Sequence, residues 1–444
     1  MRDIIVLGVF VILLLYSFKR HYMAPLVWAW MGLMNPHRLT YGFAYDLPFA
    51  QVAAISLILI FFISKDKKPF PTSTPAMLMV SFYLWMGLTS LTTFNNLTGD
   101  VYEMWVKVSK IQIMLFLSLM MLGGRKQIDA LVWVIVISIG FFGVKGGIFT
   151  IGHGGTSMVQ GPEGSFIDNT THIALAMTMV VPLMYYQLST NVTSKWGRRA
   201  MYATMILTVL SVFGTTSRGS LLATIAMSTM LGLKSKHKFK VLSGVVLVLG
   251  AMSLFMSDQW GAKMGTISSH EDESAQSRLY TWKMCWNLAL HNPITGGGFD
   301  ITNNPITWQT YAVTAWGKAY SPHSIYFQAM AEHGFVGLFL YLGIGISAWR
   351  LCSSIIRRSK SSKDLEWADL LARMCQASLL GFAVGGAFVN LVNFDLPYYV
   401  VGIVVLVDRA VKDAEQDKEK ARKAAAAAEA AKQAELMNAQ ASLT

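Results

Sequence analysis

The sequence predicts an all-α, polytopic integral membrane protein with about 12 transmembrane helices and one large polar loop that itself contains helices. Three observations carry this. The chain is 53% hydrophobic and only 14% charged over 444 residues, with a mean hydropathy of +0.43. It divides into apolar runs, most of them near the roughly 20 residues that a helix needs to cross about 30 Å of hydrocarbon. The links between runs alternate strictly between basic and non-basic, the pattern that separates cytoplasmic loops from those on the far side.

In order, the candidate spans are residues 4–18, 22–34, 47–63, 76–94, 107–122, 128–150, 170–188, 199–214, 219–233, 240–257, 323–350, 370–393 and 397–409. Basic links fall at Lys19-Arg20, Lys65 to Lys68, Arg125-Lys126, Lys195 to Arg199, Lys234 to Lys240 and Arg350 to Lys363; the links between them are poor in Lys and Arg. Basic links on the cytoplasmic side satisfy the whole chain and put the long loop outside. Four regions follow: N-terminal helices (1–257), the loop (258–322), C-terminal helices (323–409) and a charged, Ala-rich tail (410–444) expected to be a solvated cytoplasmic helix. The first run ends in Lys19-Arg20 and not in a small-residue cleavage site, so it is not a cleavable signal. The first pair of runs is short enough to be a hairpin, which leaves the side of the N-terminus open.

The formal net charge of +12 sits in the basic links, so it reads as topology and not as a nucleic-acid surface. Cys285, Cys352 and Cys375 show no disulfide or metal spacing. There is no Walker loop, GxGxxG or GxSxG.

Water-loving groups concentrate between Ser277 and Gly337. In SRLYTWKMCWNLALHNPITGGGF, helical spacing puts Arg278, Trp282 and Trp286 on one face, Pro293 ends the run, and Gly296 to Gly298 allow a sharp turn or close approach to a ligand. In SPHSIYFQAMAEHGFVG, Ser321 reads as an N-cap, Pro322 as first turn and His323 just inside the helix, where the dipole favours neutral imidazole, the proton-accepting form. Arg218 begins a run after Thr215-Thr216-Ser217 on the non-basic side. Each has a plain reading: Arg218 an interfacial anchor, Arg278 a surface partner of Glu271-Asp272-Glu273, His323 a cap. Together, on one side, two arginines and a histidine form a set suited to binding a lipid-linked diphosphate and supplying a base. Weaker candidates for substrate binding are Arg38, Asp168, Trp282, Tyr326 and Glu332. His153, His172 and His333 read as loop or packing histidines, and Trp260, Trp282, Trp286, Trp308 and Trp316 as interfacial anchors or sugar-stacking rings. No carboxylate pair marks a metal site, and no cofactor is expected.

Three pieces, TTSRGSLLA, SRLYTWKMCWNLALHNPITGGGF and PHSIYFQAMAEHGFVG, resemble in order and topology the superfamily of bacterial O-antigen ligases, O-antigen polymerases and membrane O-oligosaccharyltransferases. LMNPHRLTYGFAYDLPFAQ is similar to ligases associated with exosortase systems. The resemblance implies a metal-independent, inverting glycosyltransferase in the inner membrane, its site facing the periplasm and its C-terminus in the cytoplasm. Its donor would be a glycan on undecaprenyl diphosphate and its acceptor lipid A-core oligosaccharide. The family's essential residues fall on Arg218 and Arg278, which would hold the diphosphate, and on His323, which would be the general base. A protein hydroxyl or a growing glycan as acceptor stays open, and a transporter of lipid-linked glycan is the alternative of a different class.

Overall fold

A computed structural model describes residues 1–93, 99–234, 243, 250, 273–313, 320–360 and 362–441. Every regular element among them is helical: α1 (Arg2–Lys19), α2 (Met23–Met34), α3 (Phe49–Ile63), α4 (Thr74–Leu91), α5 (Gly99–Met121), α6 (Gly124–Gly152), α7 (Thr170–Thr190), α8 (Lys195–Gly214), α9 (Arg218–Lys234), α10 (Glu273–His291), α11 (Pro305–Tyr311), α12 (Ile325–Ser359), α13 (Glu366–Gly386) and α14 (Asp395–Ala441). Short 3-10 turns occupy Pro36–Leu39, Phe43–Tyr45, Ile301–Asn303 and Lys363–Leu365. Among the described residues five helices are long and apolar enough to cross a membrane: α4, α5 from Val101, α6, α7 and α12; α2 and α3 are apolar but shorter. The basic residues 235–240, most of the span expected at 240–257, the side chains of the acidic run 271–273, Trp260 and Trp316 lie outside the described residues.

Contacts sort the links into two ends. At one end Arg358 pairs with Asp408 at 2.7 Å and with Glu415 at 2.6 Å, and Arg409 donates to the carbonyls of Leu119 and Pro69 at 2.9 and 3.0 Å. This end gathers basic links. At the other, the Asp3 carboxylate accepts from the backbone N–H of Gly42 and Ala44 at 3.0 and 3.2 Å. The start of α1 therefore sits beside the non-basic link 35–46.

Helices apolar on all sides are buried on all sides. α7 is such a helix, and so is α14 through Val411; beyond it α14 continues as an exposed, charged stretch, as the tail's composition predicts. α6 and α8 approach through small residues: a Cβ on Gly147 would lie 2.3 Å from the Leu207 carbonyl oxygen, and one on Gly143 2.2 Å from Thr208 Oγ1.

α12 is broken at Gly334, whose φ of 70° and ψ of −174° no helix allows. The break frees backbone groups that an apolar interior cannot leave unpaired. The Ala331 and Glu332 carbonyls accept from Gly297 and Gly298 N–H at 2.8 and 2.9 Å, Phe335 N–H donates to the Pro293 carbonyl at 2.8 Å, and Trp85 Nε1 donates to the His333 carbonyl at 2.9 Å. The turn after α10 thus plugs the break. Of the two uses expected for the three glycines, the close approach is to a helix backbone: a Cβ on Gly296 would lie 2.6 Å from the Ala331 carbonyl oxygen.

Candidate active site

The plug fixes α10 along α12, and the predicted face of α10 lands on it. Trp282 stacks on Phe327, centroids 4.9 Å apart and planes 6° apart, and Trp286 meets Phe335 edge-on at 5.7 Å. The Trp282 indole N–H donates to the Pro322 carbonyl at 2.7 Å. Trp282 is therefore a packing and positioning residue with one face already covered, and the buried Trp308 likewise donates to the Thr302 carbonyl at 2.7 Å. The indole N–H of each ring is thus taken up by the protein's own backbone.

His323 lies two residues before α12, whose N-cap is Ser324. The expected N-cap at Ser321, with His323 in the first turn, is corrected: His323 has a φ of 43°, the left-handed region that non-glycine residues rarely adopt. Both sides of it are pinned. Asn390 receives the Ser324 N–H on its Oδ1 at 3.2 Å and donates from Nδ2 to the Ser321 hydroxyl, while Trp282 holds Pro322. The backbone is clamped in a bend that no local preference selects, and the half-buried imidazole projects from its apex.

The surroundings of the imidazole favour its neutral form. Burial, then the nearby Arg278 guanidinium, then His172, push its pKa from 6.5 down to about 4. Arg278 and His323 thus lie close enough to interact electrostatically. Arg218 starts α9 at the same end: Ser220 Oγ donates to the Thr171 carbonyl at 3.4 Å, one residue before His172, and a Cβ on Gly219 would lie 2.7 Å from Phe388 Cβ.

Beside this cluster is a cavity of about 230 Å³ lined by Ser321 and Pro322 and, among others, Lys107, Asp168, His172, Asp300, Glu332 and Asn393. Glu332 accepts at Oε1 from Gln328 Nε2 at 3.2 Å and Asp300 N–H at 3.4 Å. Its Oε2 is buried without a hydrogen bond, 3.7 Å from His333 Nε2, and Asn393 Oδ1 is another buried acceptor without a donor. A cavity lined by polar side chains suits hydroxyl groups or water. Among the described residues no three of His, Cys, Asp and Glu are placed to hold a metal ion.

Of the weaker sequence candidates, Asp168 and Glu332 line this cavity. Tyr326 donates its hydroxyl to the Ala383 carbonyl at 2.6 Å and borders an apolar cleft instead; Arg38 lines a separate cavity near α6. Sequence reasoning missed Lys107, Asn390 and Asn393 and took His172 for packing. Lys107 carried a signal, a cation inside an apolar run, whereas nothing local marks an Asn after α13 as a clamp.

Residues 203–342 match the family model described as O-antigen ligase. Residues 203–342 are an O-antigen ligase domain. Arg218, Arg278 and His323 all fall within it. Residues 1–193 match a family of unknown function (DUF5935), so the N-terminal match adds no activity. No curated protein matches the chain. With its apolar helices, the chain is a multi-pass membrane protein carrying a domain of the ligase and polymerase type, whose family chemistry is glycosyl transfer. The cavity is shared: Lys107, Asp168 and His172 come from the N-terminal region, Asp300 and Glu332 from the O-antigen ligase domain, and Asn393 from beyond it.

Proposed function

We propose that the protein transfers a glycan from undecaprenyl diphosphate to a hydroxyl of lipid A-core oligosaccharide, at the periplasmic face of the inner membrane and with inversion. The observation that carries this is the pairing of a neutral histidine, held in a strained bend, with Arg278. The acceptor oxygen attacks the anomeric carbon, its proton passes to His323, and the bond from that carbon to the diphosphate oxygen breaks with its electron pair on the diphosphate. Negative charge grows on the leaving group, where Arg278 and Arg218 hold it without needing to deprotonate. His323 is charged only after it has taken the proton, so the repulsion that keeps it neutral beforehand also drives the proton off at the end of the cycle.

Two further features support an amphiphilic donor. The cavity beside His323 is lined by polar side chains of the kind that bind sugar hydroxyls. An apolar cleft of about 330 Å³ lies between α12, α13 and α14, lined by Ile325 and Tyr326 on one side of the break in α12 and by Tyr341 to Trp349 on the other, a seat for part of a prenyl chain.

Purified protein with lipid-linked glycan and lipid A-core should form product. Replacing His323 by Ala should cut single-turnover transfer by about 10²–10⁴-fold with donor affinity kept, and Arg278→Ala should weaken donor binding, with Lys a poor substitute. Product on a protein hydroxyl or a second lipid-linked glycan, and not on lipid A-core, would replace the acceptor. Normal transfer in His323→Ala would remove the base.

A further inference from the structure

A second cavity lies at the same end of the bundle, against α6, and has no part in the chemistry above. Its volume is about 980 Å³, at the upper end for small-molecule sites. Arg2, Arg38 and Lys145 line it, and Glu163 is the one acid among its described lining residues. None of the three cations is in an ion pair with a described residue; Arg2 and Arg38 instead lie over the rings of Tyr41 and Tyr45 at 5.5 and 4.5 Å.

Lys145 is the informative member. It sits within an apolar span, seven residues before α6 ends at Gly152, about 10 Å along the axis. A lone lysine there would snorkel to the headgroup level. Here the long side chain joins a cavity that already holds two arginines from distant parts of the chain, a concentration of like charge that a bound anion relieves. Phe141, Ile148 and Phe149, exposed on neighbouring turns of α6, continue an apolar track from the cavity to the lipid-facing surface. The loop after α6 divides this cavity from the one beside His323: Gly161 and Pro162 face the first, Ser165 and Asp168 the second.

We propose that this cavity seats the phosphorylated headgroup of the acceptor lipid, its chains lying along α6. The inference rests on the transfer reading and deepens it, because it makes the acceptor a phosphorylated amphiphile and not a protein. Lipid A and undecaprenyl diphosphate-linked glycan both have that chemistry.

Full-length protein in phosphatidylcholine nanodiscs is titrated with lipid A, undecaprenyl diphosphate and phosphatidylglycerol, and lipid occupancy is read by native mass spectrometry. Arg38→Gln/Lys145→Gln should weaken one phosphorylated lipid by about tenfold or more, and Arg38→Lys/Lys145→Arg, which keeps both charges, should bind as wild type does. Loss confined to lipid A assigns a lipid A-type acceptor; loss of the second of two undecaprenyl diphosphates assigns a lipid-linked one. Both sustain the site. Unchanged binding of both lipids, or an equal loss of phosphatidylglycerol, overturns it. Failure of the transfer reading looks different: Arg278→Gln would then leave undecaprenyl diphosphate binding intact while the cavity variant still lost its lipid.

Discussion

The start of α12 has two irregularities eleven residues apart, at His323 and at Gly334, and they are built oppositely. At Gly334 the freed carbonyls of Ala331, Glu332 and His333 and the freed N–H of Phe335 all find partners. Only glycine fits, since a Cβ would lie 2.2 Å from the Ile294 carbonyl oxygen. At His323 a residue with a Cβ is held in left-handed backbone by clamps on its neighbours, and its side chain stays available beside Arg278. A break whose every group is paired serves the fold. A bend held against local preference around a titratable ring marks a candidate site.

The largest effect should come from closing the first irregularity. Gly334→Ala should cost on the order of 3 kcal/mol or more, from backbone strain together with the clash, and appear as loss of monodisperse protein; a normal yield with normal transfer would show that the plug is dispensable. The second irregularity should instead govern pH. With a folded value of about 4 against an ordinary 6.5, His323 binds its proton more readily in the unfolded chain, so its contribution to stability is complete above about 6.5 and is lost as pH falls toward 4. Likewise kcat/KM should hold its plateau to an acid limb near 4, and a limb at 6.5 would mean that burial and Arg278 do not act on the base. The clamps should matter less than the ring they place. Asn390→Ala, which removes both of its hydrogen bonds, should lower transfer by roughly 10–100-fold at about 1–3 kcal/mol. Trp282→Phe keeps the stack, loses only the bond to Pro322, and should cost severalfold in rate, about 0.5–1.5 kcal/mol. Equal effects of Ala and Gln at Asn390 would argue against a clamp.

Much of the site was legible because its chemistry is scarce in an apolar chain. Arg218, Arg278 and His323 stand out wherever charge is expensive, and the spacing of Arg278, Trp282 and Trp286 correctly gives one helical face. The error at Ser321 to His323 has a physical source. Ser-Pro before an apolar run is a sound helix-start signal, but Asn390, 66 residues away from Ser324, draws the chain into another bend. The glycine run was read with two uses open, and the choice between them lay in a helix break that α12's apolar sequence does not announce.

Composition and periodicity by themselves determined that this chain is helical and membrane-embedded, with charge sorted to links and tail, because hydrocarbon admits only backbone whose hydrogen bonds are internal. They also picked out candidate site residues, because a polar group in an apolar run is conspicuous wherever it ends up. Tertiary structure alone decided what those residues meet. Lys107, Asp168, Asp300, Glu332 and Asn393 line one cavity although they lie far apart in the chain. Arg2, Arg38 and Lys145 share another. The lowered pKa of His323 likewise comes from burial and from Arg278 across the fold. Fields and cavities depend on distances through space, which a pattern of neighbours along the chain does not encode.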